Sequence, residues 1–233
     1  MRKIAIILAS GNGTRFGSEN IPKQFVKVSG KTILEHSIDA CDCGVFDEIV
    51  VAANRNRVEA VRRLVSGGSY AAPVKVIAGG DSRQASCERC VSEIKDEDAY
   101  VVVHNAAQPL VKKDTLLLLL GELAMHGAST AAIPCTETVV KINSDGFIEH
   151  VPERSLLMNQ IGPEAFRLSI LRKLFSYDRE DVGSTSIAGS IVKAGICRVS
   201  VVQGDPGNRK VTYAPDLAYV EARLKERRDE NGR

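Results

Sequence analysis

The sequence predicts an α/β fold in which helices cover both faces of a mostly parallel sheet. Short apolar runs rich in β-branched residues recur along the chain, and stretches with helical periodicity separate them. Several of these runs lack polar–apolar alternation, which is typical of strands buried on both faces. Alternating strands and helices are the pattern of a parallel sheet, and 233 residues are enough for one large domain, so we expect a single domain over residues 1–233.

The individual elements follow from the position of each run. Strands are expected at Ile4–Ala9, Glu48–Ala53, Val74–Ile77, Tyr100–His104, Thr130–Pro134 and Arg198–Val202. Helices are expected at about Lys31–Cys41, Arg57–Ser66, Ser82–Ile94, Lys112–His126 and Pro215–Arg228. The last helix begins with proline and places Leu217, Val220 and Leu224 on one face, as an amphipathic helix does.

One segment interrupts this alternation. Residues 137–143 and 147–151 are apolar-rich runs joined by Ser144-Asp145-Gly146, and an Asp-Gly turn is a strong signal for a β-hairpin. We expect a projecting β-hairpin arm at about residues 137–156. Its apolar side chains need cover, either from a second subunit or from the arm's own domain. The first alternative predicts a homodimer.

Charge and composition exclude several classes of protein. Lys and Arg total 31 against 29 Asp and Glu, which gives a net charge of +2, whereas proteins that grip nucleic acid have a larger basic excess. No apolar run reaches the ~20 residues that cross a bilayer, so we expect no membrane segment. The apolar stretch near the amino terminus is too short for a signal peptide and leads into a glycine-rich loop, which indicates a first strand and a cytoplasmic protein.

The six cysteines do not read as a disulfide framework in a chain of this length. Cys87 and Cys90 have the spacing of a redox or zinc pair, but neither a usual second pair nor histidines at ligand spacing accompany them. We therefore expect them to be small buried residues on helix faces.

A glycine-rich loop, Ser10-Gly-Asn-Gly-Thr-Arg-Phe-Gly17, follows the first predicted strand. Backbone N–H groups in such a loop can approach an anion closely. The spacing is not that of a P-loop, and Phe16 stands where the dinucleotide fingerprint has its third glycine. Arg15 and Lys23 flank the loop, and two cations there fit a triphosphate and its leaving pyrophosphate. The same two residues are also compatible with cations that simply face solvent.

Four ordered motifs resemble those of the methylerythritol-phosphate and ribitol-phosphate cytidylyltransferases. They extend along nearly the whole chain and are Leu8–Gly17 with Pro22–Phe25, Gly79–Ser86, Val103–Pro109 and Gly204–Thr212. The resemblance implies a Rossmann-like sheet and transfer of CMP from CTP, the nucleotide substrate, to a small phosphorylated polyol or a phosphonate, with release of pyrophosphate. It also implies Mg²⁺ as a cofactor.

The resemblance assigns roles to individual residues as well. The catalytic cations that it implies are Arg15, Lys23 and Lys210. The nucleotide-binding residues that it implies are Ala9, Ser10, Gly11, Asn12, Gly13, Gly80, Arg83, Ser86 and Asn105. The acceptor-binding residues that it implies are Gln108, Thr138 and Arg154. Since Thr138 and Arg154 flank the hairpin, a dimer would share each acceptor site between two subunits.

The chain departs from the family's motifs at several polar positions. Asn105 stands where the family has Asp, Gln108 where it has Arg, and Gly162-Pro163-Glu164 where it has Thr-Pro-Gln. An acidic Thr-Asp-Asp/Glu-Ala segment has no counterpart in the corresponding stretch, Asp181–Ala188. Carboxylates and substrate phosphates normally hold Mg²⁺. Either the triphosphate carries most of the metal, or Asp181 or Glu164 substitutes, or catalysis is weak, and the metal ligands are left unassigned.

These departures keep other functions open. One is a nucleotide-binding homologue that has lost catalysis and serves as a subunit or a sensor. The retained cations on the triphosphate side favour an active transferase instead. Another is a nucleotidyltransferase for a different base or a glycosyltransferase of similar architecture, but Asp96-Glu97-Asp98 precedes a strand, whereas a glycosyltransferase metal motif follows one.

Overall fold

The computed structural model describes residues 1–11, 22–178 and 183–231. Its strands are β1 (Lys3–Ala9), β2 (Lys27–Val28), β3 (Lys31–Thr32), β4 (Glu48–Ala53), β5 (Val74–Ala78), β6 (Tyr100–Asn105), β7 (Ala128–Pro134), β8 (Lys141–Ile142), β9 (Ile148–His150), β10 (Met158–Arg167) and β11 (Ser200–Gln203). Its α-helices are α1 (Ile33–Cys41), α2 (Val58–Ser66), α3 (Arg83–Ser92), α4 (Lys113–His126), α5 (Leu168–Phe175), α6 (Ile187–Lys193) and α7 (Asp216–Asn231). Short 3₁₀ turns lie at Lys23–Phe25, Arg55–Arg57 and Arg154–Leu156.

The central sheet has seven strands in the order β11-β7-β10-β6-β1-β4-β5. β10 runs antiparallel to both of its neighbours, and the other strands of this sheet run in one direction. The mostly parallel sheet expected from the sequence is therefore confirmed. Each predicted strand and helix is present, with ends that differ by a few residues.

Two apolar layers cover opposite faces of the sheet, because alternate residues of β1 enter different layers. Ile7 joins the layer that packs against α1, α2 and α4. Ile6 joins the layer that packs against α3, α5 and α6. Burial on both faces explains why the sequence of this strand shows no polar–apolar alternation. A smaller cluster, which includes Val211 and Val220, joins α7 to the body of the protein.

Five elements were not expected from the sequence: the two-residue strands β2 and β3, the long strand β10 and the helices α5 and α6. β10 contains Gly162-Pro163, and a proline argues against a central strand because it lacks the N–H of the ladder. The structure accommodates the proline at an irregularity, since the pairing of β10 with β7 changes register between Gln160 and Glu164. Sequence patterns do not reveal such a local shift, so the strand was missed.

The predicted hairpin is present as β8 and β9, which pair with each other in a separate two-stranded sheet. Asn143 closes its turn, because the side-chain Oδ1 accepts hydrogen bonds from the backbone N–H groups of Asp145 and Phe147. Gly146 has a φ of 86°, which favours glycine. The arm exposes several large apolar side chains: Val139, Val140, Ile142, Phe147, Ile148, Val151 and Leu156. The described part of its own chain therefore leaves these side chains uncovered.

The cysteines are free thiols, as expected, and those at positions 41, 87 and 90 are buried on helices. Burial raises the pKa of the Cys90 thiol to about 12. Such a thiol stays protonated at neutral pH and is a poor nucleophile. Among the helices that the structure describes, none combines the length and the apolar character needed to cross a bilayer.

The strand order creates a switch point in the sheet. β1 has β4 and then β5 on one side and β6 on the other, so the chain turns in opposite directions from neighbouring strands. In open α/β sheets, ligands bind in the crevice at the carboxyl ends of the strands at such a point. Ser10, which follows β1, and Ala106, which follows β6, mark this crevice.

Candidate active site

A cavity of about 480 Å³ opens at the switch point, and we call it the switch-point cavity. Six of the residues predicted to bind the nucleotide line it: Ala9, Ser10, Gly11, Gly80, Arg83 and Asn105. The predicted cations Lys23 and Lys210 line it as well. Residues far apart in the sequence thus meet at one edge of the sheet. Asn12, Gly13 and Arg15, and also Asp181, lie outside the described residues.

Two side chains without a predicted role hold the start of the glycine-rich loop. The Gln24 amide donates hydrogen bonds to the carbonyl oxygens of Ala9 (3.0 Å) and Gly11 (2.8 Å). The Asn54 amide donates to the carbonyl oxygen of Ser10 at 3.2 Å. Each of these residues has a signal in the sequence: Gln24 is part of the Pro-Lys-Gln-Phe motif, and Asn54 directly follows β4 at the same edge of the sheet.

Ser86 lies behind the wall of the switch-point cavity. Its side chain is fully buried, and its Oγ is 2.7 Å from Ser10 Oγ. The same Oγ is 3.1 Å from the backbone nitrogen of Gly80. A Cβ atom at Gly80 would lie 2.4 Å from the Cβ of Ala85, so only glycine fits where this loop crosses α3. Ser86 therefore does not line the cavity itself and instead supports Ser10 and Gly80, which do.

Lys23 ties the amino-terminal loop to a distant segment. Its Nζ donates a hydrogen bond to the carbonyl oxygen of Val211 at 2.6 Å. The backbone N–H of Val211 donates in turn to the carbonyl oxygen of Ala107 at 2.8 Å. This arrangement holds Lys210, the neighbour of Val211, at the edge where β1 and β6 end.

A second cavity of about 840 Å³ adjoins the first, and we call it the arm-side cavity because Thr136, at the base of the arm, lines it. β10 contributes Gln160 and Glu164 to its wall, and Thr185 and Ser186 line it just before α6. Four residues line both cavities: Arg83, Asn105, Lys210 and Thr212. A molecule in one cavity would therefore lie next to a molecule in the other.

The predicted acceptor residues lie in different places. Gln108 lines the arm-side cavity, although it is only 2% exposed. Thr138 and Arg154 are exposed on the arm and line neither cavity. The guanidinium of Arg154 donates to the carbonyl oxygen of Thr136 at 3.4 Å, which holds it near the base of the arm. The structure therefore does not bring these three residues together within one chain.

A hydrogen-bonded set of side chains forms the wall between the two cavities, and we call it the dividing wall: Arg83, Asn105, Gln108 and Glu164. Glu164 is 1% exposed and pairs with Arg83 at 2.7 Å. Arg83 also donates to Oδ1 of Asn105, and the Asn105 amide donates to Oε1 of Gln108. The Gln108 amide donates to the carbonyl oxygens of Ile161 (2.7 Å) and Asn208 (3.2 Å).

His104 lies directly behind this wall and is fully buried. One of its ring nitrogens, Nε2, is 2.8 Å from the carbonyl oxygen of Gln108, so a neutral ring donates a hydrogen bond there. Burial lowers the pKa of His104 to about 4, and the nearby positive charge of Arg83 acts in the same direction. The ring is therefore neutral at physiological pH and braces the wall rather than transferring protons.

The described residues do not fit a metal held by protein carboxylates. Over those residues, no group of three or more His, Cys, Asp or Glu side chains is placed to hold a metal ion. Both carboxylate oxygens of Glu164 already accept hydrogen bonds, and Oδ1 of Asn105 accepts one from a guanidinium, which would repel a cation. Asp81 also lines the switch-point cavity, but its side chain is 94% exposed and lies 3.7 Å from Arg55. The sequence suggested Asp181 or Glu164 as a substitute metal ligand. Asp181 lies outside the described residues, and both oxygens of Glu164 are already engaged in hydrogen bonds.

The chain has relatives along almost its entire length. The family model for IspD, 2-C-methyl-D-erythritol 4-phosphate cytidylyltransferase, matches residues 3–226. A protein of that name from Thermobifida fusca is 33% identical over 234 residues, which cover 96% of this chain and 94% of the relative. Another from Deinococcus radiodurans is 35% identical over 222 residues, which cover 95% of this chain and 89% of the relative. In addition, 4-diphosphocytidyl-2C-methyl-D-erythritol synthase from Anaerococcus prevotii shares the fold, with a TM-score of 0.79 at 21% identity over 96% of this chain and 98% of that one.

Proposed function

The chain belongs to the 2-C-methyl-D-erythritol 4-phosphate cytidylyltransferase family and is a CTP-dependent nucleotidyltransferase, and from this premise we propose that it transfers CMP from CTP to 2-C-methyl-D-erythritol 4-phosphate. The relatives carry that acceptor in their names. Nothing in the comparisons favours an acceptor of the ribitol-phosphate or phosphonate type, or a homologue that has lost catalysis.

The observation that carries the proposal is the wall that two adjoining cavities share. Group transfer needs donor and acceptor to meet with their reacting atoms close together. In this proposal CTP binds in the switch-point cavity, with its triphosphate along the glycine-rich loop, and the acceptor binds in the arm-side cavity. Lys210 lines both cavities and is therefore available to the phosphate groups of both substrates.

The proposed reaction is a displacement at phosphorus. An oxygen of the acceptor's phosphate forms a bond to the α-phosphorus of CTP, and the bond from that phosphorus to the oxygen bridging to the β-phosphate breaks. Pyrophosphate leaves with the electron pair. Negative charge grows on the phosphate oxygens during this step, and preorganised cations stabilise it. We assign that task to Lys23 and Lys210, and the resemblance adds Arg15.

Mg²⁺ remains an implication of the family resemblance. The described residues do not fit a metal held by protein carboxylates, so no step of this proposal passes through a protein-held ion. The ligands that the chemistry offers to Mg²⁺ are the phosphate oxygens of CTP. The reaction is therefore derived from the chain's own cations and from the fit of two adjoining cavities.

The proposal includes a homodimer joined in part through the arm. Two observations support it. The arm exposes large apolar side chains, of which Phe147 is 72% exposed and Leu156 is 78% exposed. Moreover, Thr138 and Arg154 line neither cavity of their own chain, although the resemblance implies that they bind the acceptor. An arm that crosses to a second subunit would bring both residues to the partner's arm-side cavity.

Pyrophosphate release from the purified protein tests the proposed function. We expect release with CTP and 2-C-methyl-D-erythritol 4-phosphate, and a cytidine diphosphate conjugate of the acceptor as the other product by mass spectrometry. UTP, ATP and GTP should each be used at least about tenfold less efficiently, because a site that hydrogen-bonds one base leaves polar groups unpaired with another. Ribitol 5-phosphate serves as the matched acceptor control. Release with ribitol 5-phosphate but none with 2-C-methyl-D-erythritol 4-phosphate would reject the proposed acceptor.

A further inference from the structure

Among the described residues, the hydrogen-bond partners of the buried Glu164 carboxylate are all donors. Its Oε2 accepts from Arg83 at 2.7 Å. Its Oε1 accepts from the Gln160 amide at 3.0 Å and from the backbone N–H of Ala188 at 2.8 Å. A carboxylate satisfies all three donors, because it only accepts. A glutamine in its place would turn an N–H₂ group toward a donor in either orientation of its amide.

Glu164 holds Arg83 in place, and Arg83 then sets the direction of the other side-chain hydrogen bonds in the dividing wall. Arg83 only donates, so the side chain of Asn105 must turn its oxygen toward it. The Asn105 nitrogen then donates to Gln108, which must accept through its side-chain oxygen, Oε1. The Gln108 nitrogen is left to donate to the backbone carbonyls of Ile161 and Asn208. The orientation of both amides thus follows from one charged pair.

We propose that Glu164 is a positioning residue of the transfer reaction, because its charge orients Arg83 and, through it, the amides of Asn105 and Gln108 that face the two substrates. The inference rests on the proposed function for the identity of these substrates. Arg83 and Asn105 line both cavities, so a change in their orientation is felt by CTP and by the acceptor. Glu164 itself contacts neither reacting group in this proposal.

The same hydrogen-bond logic shows how the carboxylate could be moved. An aspartate at position 105 would only accept, so the residue at position 108 would have to donate, as arginine does. Arg83 would then pair with the carboxylate at position 105, so that a glutamine at position 164 could keep its oxygen toward Gln160 and Ala188. The triple variant Asn105→Asp, Gln108→Arg, Glu164→Gln rebuilds the wall with its carboxylate at position 105. The hydrogen bonds that Asn105 and Gln108 make within the described residues do not involve Ala188 or Gln160.

The test compares the wild-type protein, Glu164→Gln and the triple variant. CTP binding is measured by calorimetry, and turnover is measured with CTP and 2-C-methyl-D-erythritol 4-phosphate. We expect Glu164→Gln to weaken CTP binding and to lower kcat/KM for both substrates at least about tenfold, as the loss of a hydrogen bond to a charged group does. The triple variant should recover to within a few fold of the wild type. Glu93→Gln, which changes an exposed carboxylate paired with Lys75, is the matched control and should leave every value unchanged.

The rescue separates positioning from a merely structural role. If Glu164 served only to hold the start of α6 through Ala188, changes at positions 105 and 108 would not restore activity. A folded triple variant that stays as inactive as Glu164→Gln overturns the inference, and so does a Glu164→Gln protein with wild-type CTP affinity and turnover. If Glu164→Gln fails to fold, the CTP affinity of the triple variant is compared with that of the wild type. An affinity within a few fold of the wild type supports the inference, and a much weaker affinity overturns it. Should the wild type bind CTP but not use 2-C-methyl-D-erythritol 4-phosphate, the proposed acceptor fails, while the pattern of CTP affinities still tests Glu164.

Discussion

The switch-point cavity takes its walls from the ends of neighbouring parallel strands and from the loops that follow them, whereas the arm-side cavity takes its walls from β10, the base of the arm and residues 206–213. In the first, the predicted nucleotide residues of the described chain line the cavity or, like Ser86, brace it from behind. In the second, one predicted acceptor residue, Gln108, lines the cavity, and two lie on an exposed arm. Over the described residues, the first cavity is lined by predicted residues of one chain, whereas the second is missing Thr138 and Arg154, two of the three residues that the family resemblance assigns to the acceptor.

The difference has a physical origin. Side chains at the carboxyl ends of parallel strands converge on one edge of the sheet, so short motifs far apart in the sequence meet without any help from a partner. The arm extends from the sheet, and its exposed apolar side chains have no cover from the described part of the chain. Apolar surface of this kind marks an interaction site. The proposed homodimer would account for both features, because a second chain would cover the arm and receive Thr138 and Arg154.

The largest effect is expected where the two cavities meet. Lys210→Ala should lower kcat about 10²- to 10³-fold, because a preorganised charge on the transferring phosphoryl group is lost. Since Lys210 lines both cavities, the KM values for CTP and for the acceptor should both change, whereas Lys23→Ala should spare the KM for the acceptor. Steady-state kinetics with each substrate varied in turn measures this, with Lys75→Ala as the surface control. A Lys210→Ala enzyme with wild-type turnover would show that the two cavities do not share a reaction centre.

The burial of His104 behind the dividing wall should make the free energy of unfolding depend on pH. His104 has a folded-state pKa of about 4 because it is buried, whereas an unfolded histidine has a pKa of about 6.5. Between these values the unfolded chain binds a proton that the folded protein excludes, so the free energy of unfolding falls as the pH falls. The loss attributable to His104 should reach about 2–3 kcal/mol near pH 4.

Urea denaturation of the wild type and of His104→Gln between pH 7.5 and pH 4.5 measures this contribution as a difference in slope. The variant should show the flatter dependence, because glutamine does not titrate. Equal slopes in the two proteins would mean that His104 is not held neutral by its surroundings, and the wall could not then be regarded as part of the core.

A smaller effect is expected on the nucleotide side alone. Ser86→Ala removes the hydroxyl that holds Ser10 and Gly80, and the KM for CTP should rise about fivefold, as the loss of one ordinary hydrogen bond does. The preference for CTP over UTP should narrow, and the KM for the acceptor should stay the same. Ser92→Ala, an exposed serine on the same helix, is the control. A change in acceptor KM as large as the change in CTP KM would remove the distinction between the cavities.

Much of the fold and of the nucleotide side could be predicted because the signals are local. Apolar runs without alternation mark buried strands, and the glycine-rich loop directly after the first strand marks the ligand-binding edge. Gly80 illustrates how specific such a signal is, since a Cβ atom there would collide with Ala85. The hairpin was predictable for the same reason, because Asp145-Gly146 encodes its turn.

The dividing wall could not be predicted in the same way. Glu164 meets Arg83 across 81 positions of sequence, and their contact depends on the place of β10 between β6 and β7. Because Pro163 argues against a strand, β10 could not be predicted, and the order of the strands on that side of the sheet could not be predicted either. From the sequence, Glu164 stood as a possible metal ligand, whereas the structure shows both of its oxygens already accepting hydrogen bonds.

Mixing two inactive variants tests most directly whether one chain completes the nucleotide cavity but not the acceptor site. Lys210→Ala disables the cavities of its own chain, and Arg154→Ala disables the arm that would serve the partner. In a mixed dimer, one site then carries both substitutions and the other carries neither. After unfolding and refolding an equal mixture, random pairing should restore about a quarter of wild-type turnover, although each variant alone is nearly inactive. A mixture no more active than the sum of its parts, with mixed dimers demonstrated by native mass spectrometry, would contradict a site shared between subunits.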